Sequence, residues 1–181
     1  MFNRKLITRL YNLETPTIEV PTREEIEEHY KWNLTDIYSS DEEWEIDFKF
    51  VEESIIGYAQ FEGRITDSSE TLLACLKFDE EIGIKLERLY LYSMLAKDSN
   101  MRDTKYQGMD DRIKQVYSKV LTASSFIKPE LLKTDEYKLI GLINSKAELK
   151  VYEHSFEDLI RFRKHTLERE QEELLAMASE V

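Results

Sequence analysis

The sequence has one cysteine, three prolines and five glycines in 181 residues, and each scarcity excludes something. With Cys75 alone, no disulfide can form within the chain. Set in the apolar run LLACL, it reads as a small buried hydrophobe. So few chain breakers argue against a turn-rich β fold and for long helices. No apolar run approaches the ~20 residues a membrane-spanning helix needs. The opening MFNRKLITRL has basic residues but not the apolar stretch of a secretory signal. Neither a glycine-rich phosphate loop nor a G-x-S-x-G elbow is present, so nucleotide binding and serine hydrolysis lack a motif.

What is abundant is charge. Lys and Arg number 25 against 37 Asp and Glu, a formal net charge of −12. A surface this acidic repels phosphate backbones and anionic lipid, so the expected partners include neither nucleic acid nor membrane. It suits solubility in a cytoplasmic setting, the expected localisation. Hydrophobic residues at 41% are enough for a core. The carboxylate groups Asp41-Glu42-Glu43, Glu52-Glu53 and Glu172-Glu173 read as solvated helix faces rather than general acids.

Periodicity predicts an all-α fold of antiparallel helices joined by short loops, with no substantial sheet. Residues 1–21, where Pro16 and Pro21 flank TIEV, read as an arm or extension. Arg23 to Tyr30 is charged and only locally helical. The first long helix starts near Ser40, whose spacing to Glu43 is that of a capping box. Trp44, Phe48, Val51, Ile55 and Tyr58 form its apolar stripe, Gly57 is tolerated inside it, and Gly63 suits its stop. A second helix starts at Ser68 or Ser69 and carries Leu72, Leu73, Leu76 and Phe78. It runs on through Ile82, Leu86, Leu89, Tyr90 and Leu95, with a candidate break near Asp79. A third runs from about Asp103 to Phe126, with Met109, Ile113, Val116, Tyr117, Val120 and Leu121 as its stripe. Pro129 prevents simple continuation. Asp135 opens a shorter helix through Leu139 and Ile143, and Asn144-Ser145 mark a joint. Leu149, Tyr152, Phe156, Leu159, Ile160 and Phe162 carry the next helix, and a last one spans about Leu167 to Ala178. No fixed-period repeat threads through these segments.

The three histidines are His29, His154 and His165. On one helix, His154 and His165 would share a face but stand ~16 Å apart along the axis, too far to share an ion. The positions three before each histidine hold Ile26, Val151 and Phe162, which excludes the Glu-x-x-His element of di-iron bundles. His154 and Asp158 stand at i, i+4 and read as an ordinary surface pair, with half a metal site as the functional alternative. Arg161, Arg163, Lys164 and His165 form a cationic run suited to a helix C-terminus; its functional version would contact a peptide carboxylate. Aromatics at helical spacing (Trp32, Tyr38, Trp44, Phe48, Tyr117, Tyr137, Tyr152) read as core rather than groove lining. Tyr90 and Tyr92 are expected to differ, because neighbours two apart cannot both face one core.

Several segments occur in an order similar to that of the oligoendopeptidase F family. These are KWNLTDIY, YQGMDDR, SFIKPELL and ELKVYEHSFEDLIRFRKHTLEREQEELLA. Asp98, Tyr106, Gln107 and Arg112 match the family's Asp…Tyr-Gln…Arg segment. Phe126, Pro129 and Glu130 match the next landmark, and Arg163, His165, Thr166 and Leu167 match an Arg-x-His-Thr-Leu element. Glu168 stands where the family usually has serine, and the first twenty residues match nothing in it.

The resemblance implies a zinc metallopeptidase, thimet-oligopeptidase-like, that hydrolyses short peptides in a helical channel. The family's H-E-x-x-H is absent, since none of the three histidines is followed by glutamate. The expectation is therefore an N-terminal channel wall or lid, inactive alone. Residues 22–128 would be one helical subdomain and 129–181 the start of a second, ending before the zinc region. No residue of this chain is assigned a catalytic, cofactor-binding or metal-binding role, and zinc is expected only in the complete enzyme. Expected partners are short peptides in that enzyme, and its catalytic half or self-association through an exposed apolar face. The alternative is a stand-alone acidic helical interaction module.

Overall fold

The structure, a computed structural model, describes residue 21 and residues 23–163. The chain divides into two units, residues 1–33 and residues 34–181. In the first, the described residues form two short 3₁₀ turns, Arg23–Glu25 and Glu28–Tyr30, as the charged, only locally helical reading of this stretch predicts. Lys31 pairs with Glu28 at 2.6 Å across the second turn. The expected arm over residues 1–21 and the last helix over Leu167 to Ala178 lie outside the described residues, Pro21 apart.

The second unit holds six α-helices among its described residues: α1 (Asp41–Ser54), α2 (Ser69–Ser99), α3 (Thr104–Ser124), α4 (Ile127–Lys133), α5 (Glu136–Asn144) and α6 (Glu153–Arg163). No strand occurs among the described residues, so the fold is all-α. The helix starts follow local chemistry. Ser40 Oγ accepts the Glu43 N–H at 3.4 Å, while Glu43 Oε2 accepts the N–H of Ser39, one residue before the cap. Ser68, Asp103 and Asp135 cap α2, α3 and α5 in the same manner. Pro129 sits third in α4, within the first turn, where its missing N–H costs nothing. Gly63 closes the turn after the first helix with φ at +75°, a conformation that favours glycine.

Side-chain pairs set the topology. Asp41 meets Tyr92, Trp44 meets Leu89 and Asp47 meets Lys85, so α1 and α2 run antiparallel. Lys97 meets Asp110 and Tyr90 meets Tyr117, so α3 is antiparallel to α2. Asp41–Lys105 and Glu45–Arg112 then make α1 and α3 parallel neighbours. Between the three helices lies a core of Trp44, Phe48, Val51, Ile82, Leu89, Ile113 and Val116, closed by Tyr38 and Tyr58. The Trp44 indole N–H donates to the Leu89 carbonyl at 2.9 Å, which satisfies the polar edge of a fully buried ring.

A second core joins Phe61, Ile65, Leu72 and Cys75 to Leu131, Leu139, Ile143, Leu149 and Phe156. The N-terminal part of α2 therefore belongs to one core and its C-terminal part to the other. Phe78, Phe126 and Ile127 touch both.

Several readings of the sequence are corrected, sharpened or upheld. Trp32 and Tyr137, read as core, are 55% and 86% exposed. The candidate break at Asp79 does not exist: α2 is continuous for 31 residues, and Asp79 accepts the Tyr58 hydroxyl at 2.8 Å. Leu121 is 55% exposed rather than part of the stripe. Tyr90 and Tyr92 differ as expected: Tyr92 is buried in the first core, while Tyr90 is half-buried, packing on that core from the edge of a surface cleft. Gly57 is more than tolerated. A Cβ there would stand 2.6 Å from Phe78 Cζ, and the Phe78 ring is held by Tyr58 and Phe61 at 5.0 and 5.5 Å between centroids.

Asp110 is 2% exposed, and its Oδ2 accepts from Lys97 at 2.6 Å and Lys114 at 2.7 Å. Burial pushes its carboxyl up, but the hydrogen bonds from Lys114 and Lys97 outweigh burial and hold it below the usual aspartate value.

Two predictions come from this packing. Gly57→Ala should destabilise the protein by about 1–3 kcal/mol in urea unfolding. Gly83→Ala, in α2 with no atom within 4 Å of the added carbon, should stabilise it by about 0.5–1 kcal/mol. Equal effects at the two sites would disprove the Phe78 constraint. Asp110→Asn should cost about 2 kcal/mol at neutral pH. Because the folded-state pKa of Asp110 is lowered, its contribution is complete above the unfolded value and is lost as pH falls through the folded one. The variant should therefore lose less stability than the parent between about pH 5 and pH 3. Parallel pH–stability curves would refute this.

Candidate functional site

The sequence-level candidates do not assemble into a catalytic group. His154 lies 3.7 Å from both Asp158 and Glu157, with its side chain 85% exposed, and Asp158 also accepts from Arg161 at 2.7 Å. This is a cluster of polar side chains at the surface. His29 sits on the other unit beside Glu27 and against the Tyr30 ring. His165 lies outside the described residues. Cys75 is buried, and burial, with Asp79 and Glu130 adding to it, pushes its thiol up to about 12. Among the described residues, no three or more His, Cys, Asp or Glu come together in a way that could hold a metal ion. These residues do not fit a zinc site. Within the cationic run, Arg163 Nη2 donates to the Thr134 carbonyl at 2.8 Å, just past the end of α4, rather than standing free for a carboxylate.

Landmark residues instead fasten the scaffold. Glu130, early in α4, accepts the backbone N–H groups of Gly63 and Ile65, each at 2.8 Å. It thereby satisfies the turn that reverses the chain before α2. Arg112 on α3 grips both carboxylate oxygens of Glu45 and lies over the Phe48 ring, 4.2 Å from its centroid. Its hydrogen bond holds the Glu45 carboxyl below the usual range. Gln107 Nε2 donates to the Met101 carbonyl at 2.6 Å in the α2–α3 connection. Phe126 is one of the rings shared by the two cores.

Four tyrosine–carboxylate bonds add to this and were not legible in the sequence, since most join positions far apart. Tyr38 donates to Asp47, Tyr58 to Asp79, Tyr92 to Asp41 and Tyr152 to Glu80, at 2.9, 2.8, 2.7 and 2.6 Å. Burial first, and the carboxylate second, pushes every one of these phenols up, Tyr152 to about 12.

The surface offers clefts rather than reactive groups. Between α1 and α3 a cleft of about 610 Å³ is lined by Ile46, Lys49, Lys105 and Arg112 with Asp41 and Glu45. Between α2 and α3 one of about 570 Å³ is lined by Tyr90, Leu91 and Tyr117, with Glu87 and Lys114 at its edge. Near it Ile84 and Leu121 are more than half exposed. Between α5 and α6 lies a third, of about 370 Å³, with an apolar floor. Such an arrangement can recognise by shape and charge.

The comparisons with known proteins agree with this scaffold. The family model for oligopeptidase F matches residues 130–181. Oligopeptidase PepF of Bacillus subtilis (strain 168) is 35% identical over 163 residues, covering 90% of this chain and 24% of that protein. Group B oligopeptidase PepB of Streptococcus agalactiae is 33% identical over 159 residues, covering 88% of this chain and 26% of that protein. The crystal structure of oligoendopeptidase-F from Enterococcus faecium superposes with a TM-score of 0.66 at 27% identity, covering 77% of this chain and 27% of that one. The chain belongs to the oligoendopeptidase F family, in its N-terminal region. It spans about a quarter of the length of the curated relatives it matches.

The fastening role of Glu130 can be checked directly. Glu130→Gln replaces one acceptor oxygen by an amide that points hydrogens at a backbone N–H. It should cost about 1–3 kcal/mol and raise hydrogen exchange at Gly63 and Ile65 above that of the α1 amides. Unchanged exchange at those two positions would remove the role.

Proposed function

We propose that this chain forms the N-terminal wall or lid of the substrate channel in an oligoendopeptidase F-like zinc metallopeptidase that hydrolyses short peptides. The observation that carries the proposal is the match itself, 35% identity over 90% of the chain confined to 24% of the relative. It is supported by what the matched landmarks do: Glu130, Arg112 and Gln107 are engaged in fastening the turn before α2, the α1–α3 contact and the α2–α3 connection. In this reading the chain contributes no zinc ligand, and the chemistry belongs to the part of the relatives' length that it does not match. The chain's role is to shape access. The half-exposed face of Ile84, Leu91 and Leu121 is the surface offered to the catalytic half, and the channel excludes folded proteins by its width. No helix among the described residues is long and apolar enough to cross a membrane, which accords with a cytoplasmic enzyme of this kind.

A chimera tests the reading. Replacing the matching region of Bacillus subtilis oligopeptidase PepF with this chain should keep hydrolysis of a quenched fluorogenic peptide within about tenfold of the parent. Deleting that region should abolish it. The isolated chain should neither retain zinc nor turn over the peptide. Stoichiometric zinc with turnover by the chain alone, or a chimera no better than the deletion, would overturn the proposal.

A further inference from the structure

We propose that the cleft between α5 and α6 is a docking site for a basic amphipathic peptide segment. Its apolar side chains would fill the cleft and its lysines or arginines would meet the rim. The floor is Ile143 and Phe156, both under 6% exposed, and the walls are Ile140 and Ile160. Ile140 is 40% exposed, and Tyr137, 86% exposed, stands one turn before it on α5. The volume, about 370 Å³, lies within the ~300–1,000 Å³ range of sites that accept small molecules and peptide anchors. A helical segment with anchors at i, i+3 or i+4 and i+7 suits a groove between two helices.

Charge selects the occupant. Glu136, Glu153 and Glu157 line the rim, and the lining cation among the described residues, Arg161, is engaged by Asp158 at 2.7 Å. Lys150 stands 3.4 Å from Glu153 and offsets it in part. Among the described residues the rim is net negative. An acidic or neutral segment would desolvate these carboxylates without compensation, whereas a cationic one is drawn in and paired. A second copy of this chain, with a net charge of −12, is repelled. The other clefts carry no such signal. Between α1 and α3 the charges are already matched to each other, Asp41 with Lys105 and Glu45 with Arg112. The α2–α3 cleft, with Glu87 and Lys114 at its edge, carries no net charge to select an occupant of one sign. The inference rests on the cleft alone and does not depend on the peptidase reading.

Fluorescence anisotropy of the full chain with a fluorescein-labelled amphipathic helix of leucine and lysine, about 14 residues long, tests it. Saturable binding is expected. Peptides with glutamate for lysine, or serine for leucine, should bind at least about tenfold more weakly. Ile140→Asp and the double change Glu153→Lys/Glu157→Lys should each weaken the leucine–lysine peptide by about tenfold or more. The control Glu62→Lys/Glu81→Lys makes the same change in net charge at exposed positions away from the cleft and should leave binding unchanged. Circular dichroism verifies folding, and the rim reversal on the surface of α6 keeps the test decisive if Ile140→Asp unfolds. Equal weakening by the control would show that binding follows net charge and would overturn the site, as would indifference to both cleft variants. A dimer dissolved by Ile140→Asp, with no peptide bound, would assign the cleft to a second copy and also overturn it.

Discussion

The second unit depends on α2 being one unbroken helix. Its 31 residues are shared by two apolar cores, with Leu72 and Cys75 in one and Ile82, Leu86 and Leu89 in the other. A kink at Asp79 would turn one set of side chains away from its partners. What prevents it is local. The Tyr58 hydroxyl holds Asp79, and Phe78 fills the space that the missing side chain of Gly57 leaves. Because Phe78 also packs with the second core, the same ring that keeps the helix straight couples the two cores mechanically. Rigid coupling of this kind lets the two cores hold one shape.

Electrostatics does different work inside and outside this framework. With more carboxylates than cations, cations sit where helices meet: Lys97 and Lys114 at Asp110, Arg112 at Glu45, Lys85 at Asp47. Tyrosine hydroxyls supply further donors to Asp41, Asp47, Asp79 and Glu80. A phenol brings apolar area along with its hydrogen bond, so it satisfies a half-buried carboxylate without adding charge. Cations and phenols drawn to the helix contacts leave the outer faces acidic. The rim of the α5–α6 cleft is one such face.

Legibility in the sequence followed range. Caps, stripes and stops depend on residues within a turn or two, and Ser40, Ser68, Asp103, Asp135 and Gly63 act where their local chemistry puts them. Trp44, Phe48 and Val51 are buried as their spacing predicts. Features that join distant positions were not readable. The 2.6 Å approach to Phe78 that requires Gly57 involves a residue 21 positions away, and Glu130 caps N–H groups 65 and 67 positions away. Tyr90 and Tyr92 divide as their spacing predicts, Tyr92 buried and Tyr90 half-buried at the edge of a surface cleft. The candidate site was less legible still, because a cleft belongs to two helices and neither sequence stretch carries it alone.

Landmark order and landmark chemistry answer different questions. The order of Gln107, Arg112 and Glu130 led to the family, yet each is engaged with backbone or a structural carboxylate. Residues that define a family in this region are thus those that set helix contacts, and a fold can keep them while its surface changes. It follows that recognition in this region is to be sought in side chains other than those engaged in fastening the helices. Ile140, Glu153 and Glu157 face the α5–α6 cleft and are not among the residues that fasten the helices. A scaffold fastened from within is free to vary what it presents, and here it presents an acidic, apolar-floored groove.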